Sequence, residues 1–425
     1  VVVTGTYPRS IAVPVGHVRP DDLATCVSCG LCLNDCPTFR LLGDEADSPR
    51  GRIQLIRALV ATSGIPDPSL VGHLDACLVC RACETACPSL VPFGRIMEGA
   101  REVVRERGAR GSLVARLARR IGLAVIARPA RLAAVAALAR LYTRAGIRGL
   151  VRRALPRRLA EMEALLAPPE GAAYAVHGRG DADAALFAGC VMRVAFGETQ
   201  RATERVLERA GHRVASPRAQ VCCGALHAHA GDGATARALA RENIAAFEGG
   251  EGPIVVTAAG CGAHLREYGH VLGDDPEWGV RARRFGSRVR DASEAIAPAD
   301  VGSRTPRPLR VAYQDACHLA HGQGIRRQPR DLLRAVRGVE LVGIADPERC
   351  CGSAGIYNLT HPEIARQLQQ DKVRAALAAS PDVVVTTNPG CILQIRAGLR
   401  EAGSTIPVVH LARFLDDPAG ALAAR

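Results

Sequence analysis

Lysine is almost absent from this chain: of its 55 lysine and arginine residues, only Lys372 is a lysine. A Walker A loop needs Gly-Lys-Ser or Gly-Lys-Thr, whereas Lys372 stands between Asp371 and Val373. A Schiff-base lysine would also have to be Lys372, which lies in a polar helical pattern rather than in an apolar pocket. The sequence therefore argues against a P-loop nucleotidase and against Schiff-base chemistry.

Other catalytic and nucleotide-binding motifs are missing as well. Gly322-Gln-Gly324 continues with Ile-Arg-Arg, so it does not form a dinucleotide-binding G-x-G-x-x-G sequence. The sequences HExxH and G-x-S-x-G do not occur. Aromatic residues make up 3% of the chain, so alanine, valine and leucine must fill its cores. We therefore assign no catalytic residue and expect no dinucleotide site.

Targeting sequences and long apolar runs are not evident. The first residues, VVVTGTYPRSIAVPVG, lack the charged start, the long apolar run and the cleavage site of a signal peptide. The apolar stretch Ile121–Ala139 is interrupted by Arg128, Pro129 and Arg131, so we do not expect it to span a bilayer. The cysteine spacing described next requires reduced thiols, which predicts a cytoplasmic protein.

Cysteine, by contrast, is abundant, and half of the 16 cysteines form two runs with the spacing C-x2-C-x2-C-x3-C-P. This spacing is typical of bacterial ferredoxins that bind two [4Fe–4S] clusters, in which the fourth cysteine of each run ligates the other cluster. Zinc sites and disulfides fit such evenly stepped cysteines less well. We therefore predict one cluster held by Cys26, Cys29, Cys32 and Cys87 and a second held by Cys77, Cys80, Cys83 and Cys36.

The remaining cysteines form two equivalent sets, namely Cys190, Cys222, Cys223 and Cys261, and then Cys317, Cys350, Cys351 and Cys391. Each set has a cysteine after a predicted strand, a Cys-Cys-Gly sequence, and a cysteine that follows a strand and opens a helix, which indicates a duplicated domain. We predict a further cluster in at least one repeat, and an empty site or a thiol/disulfide relay remains open. His264 and His318 are candidates for a neighbouring or ligating role.

The order of predicted elements indicates an α+β multidomain fold. Residues 1–100 are predicted to form a mostly helical two-cluster ferredoxin domain, and residues 101–182 an arginine-rich helical module with a linker. Short strands that alternate with helices then predict two α/β domains with parallel sheets, the first Cys-Cys-Gly domain at residues 183–303 and the second at residues 304–425.

Positive charge is concentrated in one segment. Residues 101–160 contain 16 arginines and two acidic residues, Glu102 and Glu106, while the net charge of the whole chain is +13. Three interpretations remain open: a solvated helical linker, a docking face for an acidic partner subunit, and a contact with a membrane surface. We do not expect nucleic-acid binding, because Tyr142 is the single aromatic residue of Ile121–Leu155.

The combined pattern resembles the iron–sulfur subunit of glycolate oxidase, also called glycolate dehydrogenase. The resemblance extends over nearly the whole chain. The wider family includes iron–sulfur subunits of anaerobic glycerol-3-phosphate dehydrogenase, of lactate-utilisation complexes and of heterodisulfide reductase. Besides the cysteine runs, the resemblance rests on Ser48-Pro-Arg-Gly-Arg-Ile53, Cys222-Cys-Gly-Ala-Leu-His227, Gly260-Cys-Gly-Ala-His264 and Cys350-Cys-Gly-Ser-Ala-Gly355.

The resemblance implies a division of labour in an oxidoreductase complex. A flavin-containing partner subunit would oxidise glycolate or a related 2-hydroxy acid. This chain, which would not be catalytic alone, would pass the electrons through two [4Fe–4S] clusters to a quinone-type acceptor. It would be cytoplasmic or peripheral on the inner face of the plasma membrane.

One departure bears on the choice within the wider family. Heterodisulfide reductase relatives end each repeat with C-x-x-C, whereas this chain has Cys261-Gly-Ala-His264 and Cys391-Ile-Leu-Gln394. The missing fifth cysteine favours the glycolate type. The alternative is a heterodisulfide- or thiol-reductase-like subunit, or one of a glycerol-3-phosphate or lactate dehydrogenase, with chemistry at the Cys-Cys-Gly sites.

Overall fold

The structure is a computed structural model that describes residues 18–108, 113–155, 163, 170–178 and 182–423. The N-terminal sequence considered above and parts of the predicted linker that precedes residue 183 lie outside the described residues. The chain divides into two units. The first contains residues 18–108 together with His227–Gly233, and the second contains the other described residues from 113 onward.

The first unit is helical. Proline occupies the first position of its helices α1 to α4, where the missing N–H removes no intrahelical hydrogen bond. Ile53, Ile56 and Leu59 share one face of α3 and are buried in the core, as their helical spacing predicts. The elements are α1 (Pro20–Ala24), α2 (Pro37–Leu42), a 3-10 turn (Glu45–Asp47), α3 (Pro49–Ala61), α4 (Pro68–Asp75), α5 (Ala82–Thr85) and α6 (Phe93–Glu106).

Three arginine-rich helices begin the second unit: α7 (Leu113–Ala127), α8 (Pro129–Arg144) and α9 (Arg148–Ala154). Arg128 is extended because it precedes Pro129, so α7 ends and α8 begins at this point. Among the described residues, no single helix is long and apolar enough to cross a membrane. The part of α7 from Arg116 and the whole of α8 reach that length only as a pair, which is bent by 107°.

The first parallel sheet has the strand order β2-β1-β3-β4. Its strands are β1 (Ala184–Phe187), β2 (Val214–Ala215), β3 (Ile254–Val256) and β4 (Val289–Asp291). The associated helices are α10 (Val191–Ala195), α11 (Gly197–Arg209), α12 (Ala225–His229), α13 (Gly233–Phe247), α14 (Ala259–Arg266), α15 (Tyr268–Val271) and α16 (Gly279–Arg288).

The second parallel sheet repeats this topology with the order β6-β5-β7-β8. A 3-10 turn (Pro298–Asp300) precedes its strands β5 (Arg304–Tyr313), β6 (Arg337–Val342), β7 (Val383–Thr386) and β8 (Val408–His410). The helices are α17 (Cys317–Ala320), α18 (Arg327–Ala335), α19 (Tyr357–Thr360), α20 (Pro362–Ala378), α21 (Pro389–Glu401), α22 (Leu411–Asp416) and α23 (Pro418–Ala423).

The two sheets confirm the predicted fold class, a helical N-terminal region followed by two parallel-sheet α/β repeats. The hydrophobic pattern does not predict β2 and β4, because strands of two and three residues produce no apolar run. The two repeats share one core, in which Leu186 of β1 and Val255 of β3 belong to the same buried cluster as Val311 of β5 and Val385 of β7. The repeats are therefore not independent modules.

His410, at the end of β8, joins the two repeats. Its Nε2–H donates to the backbone oxygen of Thr257 at 2.7 Å, and its Nδ1 accepts from the N–H of Ala412 at 3.1 Å. Both ring nitrogens are used in this way by the neutral imidazole. Burial lowers the pKa of His410 from 6.5 to about 4.

This lowered pKa predicts that acid weakens the fold. The unfolded chain takes up a proton near pH 6.5 while folded His410 resists it, so stability is complete above pH 6.5 and falls as the pH drops toward 4. Between pH 7.5 and pH 5.5 this group should cost about 1.3 kcal/mol of unfolding free energy. Urea unfolding at both pH values, followed by circular dichroism, measures the loss.

The matched control is His410→Gln, which cannot titrate but retains an amide donor for Thr257. The pH-dependent loss should be smaller in this variant by about the same 1.3 kcal/mol. An identical loss in the wild-type protein and the variant would contradict the assignment to His410.

Candidate metal centres

The two cysteine runs fold into loops with the same backbone conformation. Ser28 and Val79, which occupy the same position in their runs, have φ angles of 57° and 52°. Gly30 and Arg81, two residues further on, have φ angles of 87° and 66°. A left-handed conformation is uncommon for a β-branched residue, so the loop around Val79 is tightly constrained. This conformation lets the N–H of Val79 donate to Cys77 Sγ at 3.3 Å, which stabilises a thiolate.

One group of cysteines lines a pocket in the first unit. Ile53 and Phe93 provide part of its apolar lining, and Cys83 also reaches it. The spacing predicts that the last cysteine of the second run joins the first loop, and this pairing stays a prediction. The cysteines that the pairing assigns to this pocket are Cys26, Cys29, Cys32 and Cys87.

The other group is centred on Cys83. Burial raises the pKa of Cys83 well above its usual range, and the charges of Cys80, Cys77 and Cys36 raise it further. Several thiolates that share a buried space repel one another, and bound iron would relieve this repulsion. All sixteen cysteines lie in the described residues and are free thiols. Both donor sets therefore fit iron–sulfur clusters, although the ligand roles remain a prediction.

The sequence Ser48-Pro-Arg-Gly-Arg-Ile53 connects these two groups. Ser48 Oγ accepts from the N–H of Gly51 at 2.9 Å and caps α3. A Cβ atom on Gly51 would lie 1.9 Å from the backbone oxygen of Glu45, so glycine is required at this close approach. The capped turn presents Arg50 to the first cysteine loop and Arg52 to Cys36.

The two arginines differ in their surroundings. Arg50, a surface residue, donates to the backbone oxygen of Ser28 at 3.2 Å and to Glu45, and its charge acts on Cys32 and Cys29. Arg52 is 1% exposed, pairs with Asp47 at 3.0 Å, and has its Nη1 4.0 Å from Cys36 Sγ. Each cysteine group thus has at least one adjacent cation. The sequence analysis missed this role, and the signal was a pair of arginines on a capped helix between the runs.

In the first repeat of the second unit, four thiols converge at the carboxyl ends of the strands. Cys190 Sγ lies 3.5 Å from Cys222 Sγ, and Cys223 Sγ lies 3.2 Å from Cys261 Sγ. The hydrogen bond with Cys222, followed by burial, raises the pKa of Cys190. Cys261 is the third residue of α14, where the helix N-terminus favours negative charge.

The second repeat has the same arrangement. Cys350 contacts Cys317 and Cys351, and Cys351 contacts Cys391. Cys391 is the third residue of α21, and Asn388 Nδ2 lies 3.6 Å from its sulfur. The structure therefore brings together each predicted set of four cysteines, and a set of four thiols fits a cluster.

Both Cys-Cys-Gly turns need their glycine. Gly224 and Gly352 have φ angles of 91° and 84°. A Cβ atom on Gly352 would lie 2.4 Å from the backbone oxygen of Ala365 in α20. On Gly224 it would lie 3.3 Å from Ala236 in α13. Glycine is required because the turn combines a left-handed conformation with close backbone contact.

The structure places the two candidate histidines beside these turns. His264 is buried edge-on to Tyr268, with ring centroids 5.7 Å apart, and its Nε2 lies 3.4 Å from the position of a Cβ on Gly224. His318 Nδ1 lies 3.4 Å from the corresponding position on Gly260, next to Cys261. Both histidines lie where they could contact the predicted cysteine ligands, and direct ligation of a metal by either histidine remains a prediction.

Matches to known protein families cover most of the chain. Residues 22–91 match the 4Fe-4S dicluster domain, and residues 184–266 and 311–396 each match the cysteine-rich domain. Residues 114–166 match the linker region of the glycolate oxidase iron-sulfur subunit. Together with the grouped cysteines, these matches define an iron–sulfur electron-transfer subunit of an oxidoreductase.

Relatives identify the family more closely. The chain is 37% identical over 420 residues to the probable glycolate oxidase iron-sulfur subunit of Bacillus subtilis, and the match covers 94% of each chain. It is 34% identical to the glycolate oxidase iron-sulfur subunit of Escherichia coli, over 90% of this chain and 91% of that one. Lactate utilization protein A of Geobacillus kaustophilus is 30% identical over 54% of this chain and 97% of its own. The chain belongs to the family of glycolate oxidase iron–sulfur subunits.

The cation beside the first cysteine loop should influence electron uptake. Reduction adds negative charge to a cluster, and a nearby cation favours it, so Arg50→Gln should lower the midpoint potential of the cluster at Cys26, Cys29 and Cys32. A redox titration of the anaerobic protein, monitored by EPR spectroscopy, measures this potential.

The control is Arg107→Gln, which removes an arginine of the same unit whose guanidinium donates to the backbone oxygens of Leu59 and Thr62. This variant should leave both potentials unchanged. A shift of equal size in both variants would show that net charge, rather than the position of Arg50, is responsible.

Proposed function

We propose that this chain carries electrons in a complex that oxidises glycolate or a related 2-hydroxy acid. The observation that carries the proposal is the two groups of four cysteines in a chain that matches glycolate oxidase iron–sulfur subunits over most of its length. Clusters bound there would accept and release single electrons. A flavin-containing partner would oxidise the substrate, and a quinone-type acceptor would receive the electrons.

In this proposal the two runs exchange their fourth ligands. Cys26, Cys29 and Cys32 form one cluster site with Cys87, and Cys77, Cys80 and Cys83 form the other with Cys36. The pocket shared by the first set and the charges that act on Cys83 support this pairing. Backbone N–H donors and the adjacent Arg50 and Arg52 would hold the negative charge of the clusters.

A second candidate function is thiol or disulfide chemistry at the Cys-Cys-Gly sites. The short sulfur–sulfur distances in the first repeat, 3.5 Å and 3.2 Å, favour it. Titration of free thiols in the aerobic and anaerobic proteins separates the two functions. Reversible loss of thiol pairs in step with substrate oxidation supports thiol chemistry, whereas an unchanged thiol count during turnover supports electron transfer.

We also propose that α7 to α9 contact an anionic membrane surface. Residues 113–155 contain ten arginines and no acidic residue. The helices expose large apolar side chains among these cations, with Leu138 and Leu141 of α8 being 68% and 67% exposed. Basic helices with exposed leucines bind at the interface of anionic bilayers. Such a contact would bring the chain close to a quinone dissolved in the membrane.

The ligand exchange between the runs has a spectroscopic consequence. Cys36→Ser should disturb the cluster of Cys77, Cys80 and Cys83, although Cys36 belongs to the first run. Cys32→Ser should disturb the other cluster and stop glycolate-dependent dye reduction by the complex with its flavin subunit. EPR spectra of the two variants, with iron analysis, check which signal is lost in each.

The two variants serve as controls for each other because they lie in the same loop. If both remove the same signal, the exchange of ligands is wrong. Undiminished dye reduction by Cys32→Ser, in a complex that still contains the flavin subunit, would refute the electron-transfer role.

The membrane contact predicts that the protein sediments with vesicles that contain phosphatidylglycerol and not with vesicles of phosphatidylcholine alone. Leu138→Glu combined with Leu141→Glu should reduce the bound fraction at least several-fold. A carboxylate is costly to insert into the bilayer and is repelled by anionic lipid. Salt should weaken binding of the wild-type protein.

The matched control is Leu359→Glu, which changes a leucine that is 42% exposed in the second repeat. It should bind like the wild-type protein. Equal sedimentation with neutral and anionic vesicles would contradict the proposed contact.

A further inference from the structure

The single lysine of the chain lies buried beside the second set of Cys-Cys-Gly cysteines. Lys372, in α20, is 3% exposed, and its Nζ donates to the backbone oxygens of Asp346 at 2.6 Å and Pro347 at 3.2 Å. These carbonyls belong to the loop that leads into Cys350. Apart from the histidines, every other basic side chain is an arginine, so this position differs from the rest of the chain.

The duplication identifies the counterpart of Lys372. The turn at Gly352 meets Ala365 of α20, and the turn at Gly224 meets Ala236 of α13. Seven residues beyond Ala236 lies Asn243, and the same step from Ala365 leads to Lys372. A fully buried neutral amide in the first repeat thus corresponds to an ammonium group in the second.

Asn243 has a purely structural set of partners. Its Nδ2 donates to the backbone oxygen of Cys222 at 3.0 Å and to Tyr268 Oη at 3.1 Å, and its Oδ1 accepts from Val221. Tyr268 in turn donates to the backbone oxygen of Cys223 at 2.7 Å. This network holds the turn in place and brings no charge to the thiols.

Lys372 brings a charge that the surrounding protein does not neutralise with a carboxylate. No ion pair among the described residues includes Lys372. Burial lowers the pKa of Lys372, and the charges of Cys351, Cys350 and Cys391 act in the opposite direction and favour the ammonium form. A buried ammonium without an anionic partner is costly. The negative charge that it faces must therefore come from the sulfur site itself.

We propose that the four cysteines of the second repeat hold an iron–sulfur cluster in addition to those of the ferredoxin runs, and that Lys372 is its fixed counter-charge. The proposal rests on the electron-transfer function proposed above and extends it to the second repeat. An iron–sulfur core bound by four thiolates is a net anion, which suits a site that already contains a cation. Lys372 acts as a positioning residue that favours the bound and the reduced states.

The ammonium group of Lys372 also distinguishes the two repeats. The first repeat offers the same four thiols without a cation at the corresponding position, so the geometry assigns the additional cluster to the second repeat. Because reduction adds negative charge, the cluster beside Lys372 should accept an electron more readily than it would without the lysine.

The first experiment counts iron in the anaerobically purified full-length chain. Cys351→Ser should remove about four irons per chain, the content of one [4Fe–4S] cluster, and leave the EPR signals of the ferredoxin clusters intact. Cys223→Ser is the matched change in the first repeat and should leave the iron content unchanged. Equal losses in the two variants, a loss only in Cys223→Ser, or no loss in Cys351→Ser would each overturn the assignment.

The second experiment tests the lysine. Lys372→Met keeps most of the volume and removes the charge, and it should either lose the additional cluster or lower its midpoint potential in an EPR-monitored titration. Lys372→Arg keeps the charge and should restore the cluster or its potential at least partly. Unchanged iron content and potential in Lys372→Met would overturn the role of the lysine.

The ferredoxin signals make the outcomes distinguishable. If they persist while the protein contains no iron beyond their two clusters, the additional cluster is refuted and the electron-transfer function is not affected. If glycolate-dependent reduction of the ferredoxin clusters fails in the wild-type complex, the proposed function fails independently of Lys372. The same signals, with circular dichroism, show that each variant is folded.

Discussion

The repulsion between closely spaced thiolates is the constraint on which much of this structure depends. A metal site needs several sulfur atoms to point inward. Burial raises the pKa of such a thiol, as it does for Cys83, and the negative charges of neighbouring thiolates raise it further. Fixed positive groups near the cysteines offset this repulsion. Backbone N–H groups, helix N-termini, Arg50, Arg52 and Lys372 lie near the cysteines. The left-handed conformation of Val79, for example, directs its N–H at Cys77.

The ferredoxin unit and the Cys-Cys-Gly repeats bring their cysteines together in different ways. In the ferredoxin unit, a short loop bends back on itself and must adopt left-handed conformations, even at Val79. In the repeats, the parallel sheet performs the same task, because strands that run in one direction deliver their ends to one edge. Each Cys-Cys-Gly turn has its left-handed residue at a glycine, Gly224 or Gly352, although Asp346 and Ala354 beside the second turn also have positive φ angles.

Sequence reasoning reached the fold class because spacing and duplication are local properties, and its assignment of the cysteines to two clusters stays a prediction. It did not reach β2 and β4, which are held by neighbouring strands rather than by an apolar run of their own. It considered Lys372 only as a Schiff-base candidate, since the partners of this residue come from the distant loop Asp346–Pro347. The roles of Arg50 and Arg52 could not be predicted for the same reason, because their partners, the Ser28 carbonyl and the Cys36 sulfur, are distant in the sequence.

The core shared by the two repeats bears on how the protein matures. The buried cluster that contains Leu186 and Val311 includes no cysteine among its described residues. The other two buried clusters of the repeats do include cysteines, namely Cys190, Cys222 and Cys223 in one and Cys351 and Cys391 in the other. The core of the ferredoxin unit also includes cysteines, Cys77 and Cys83, among its buried side chains. Folding of that unit is therefore linked to cofactor insertion. We expect the cysteine-free cluster between the sheets to be the part of a newly synthesised chain that depends least on iron and sulfide.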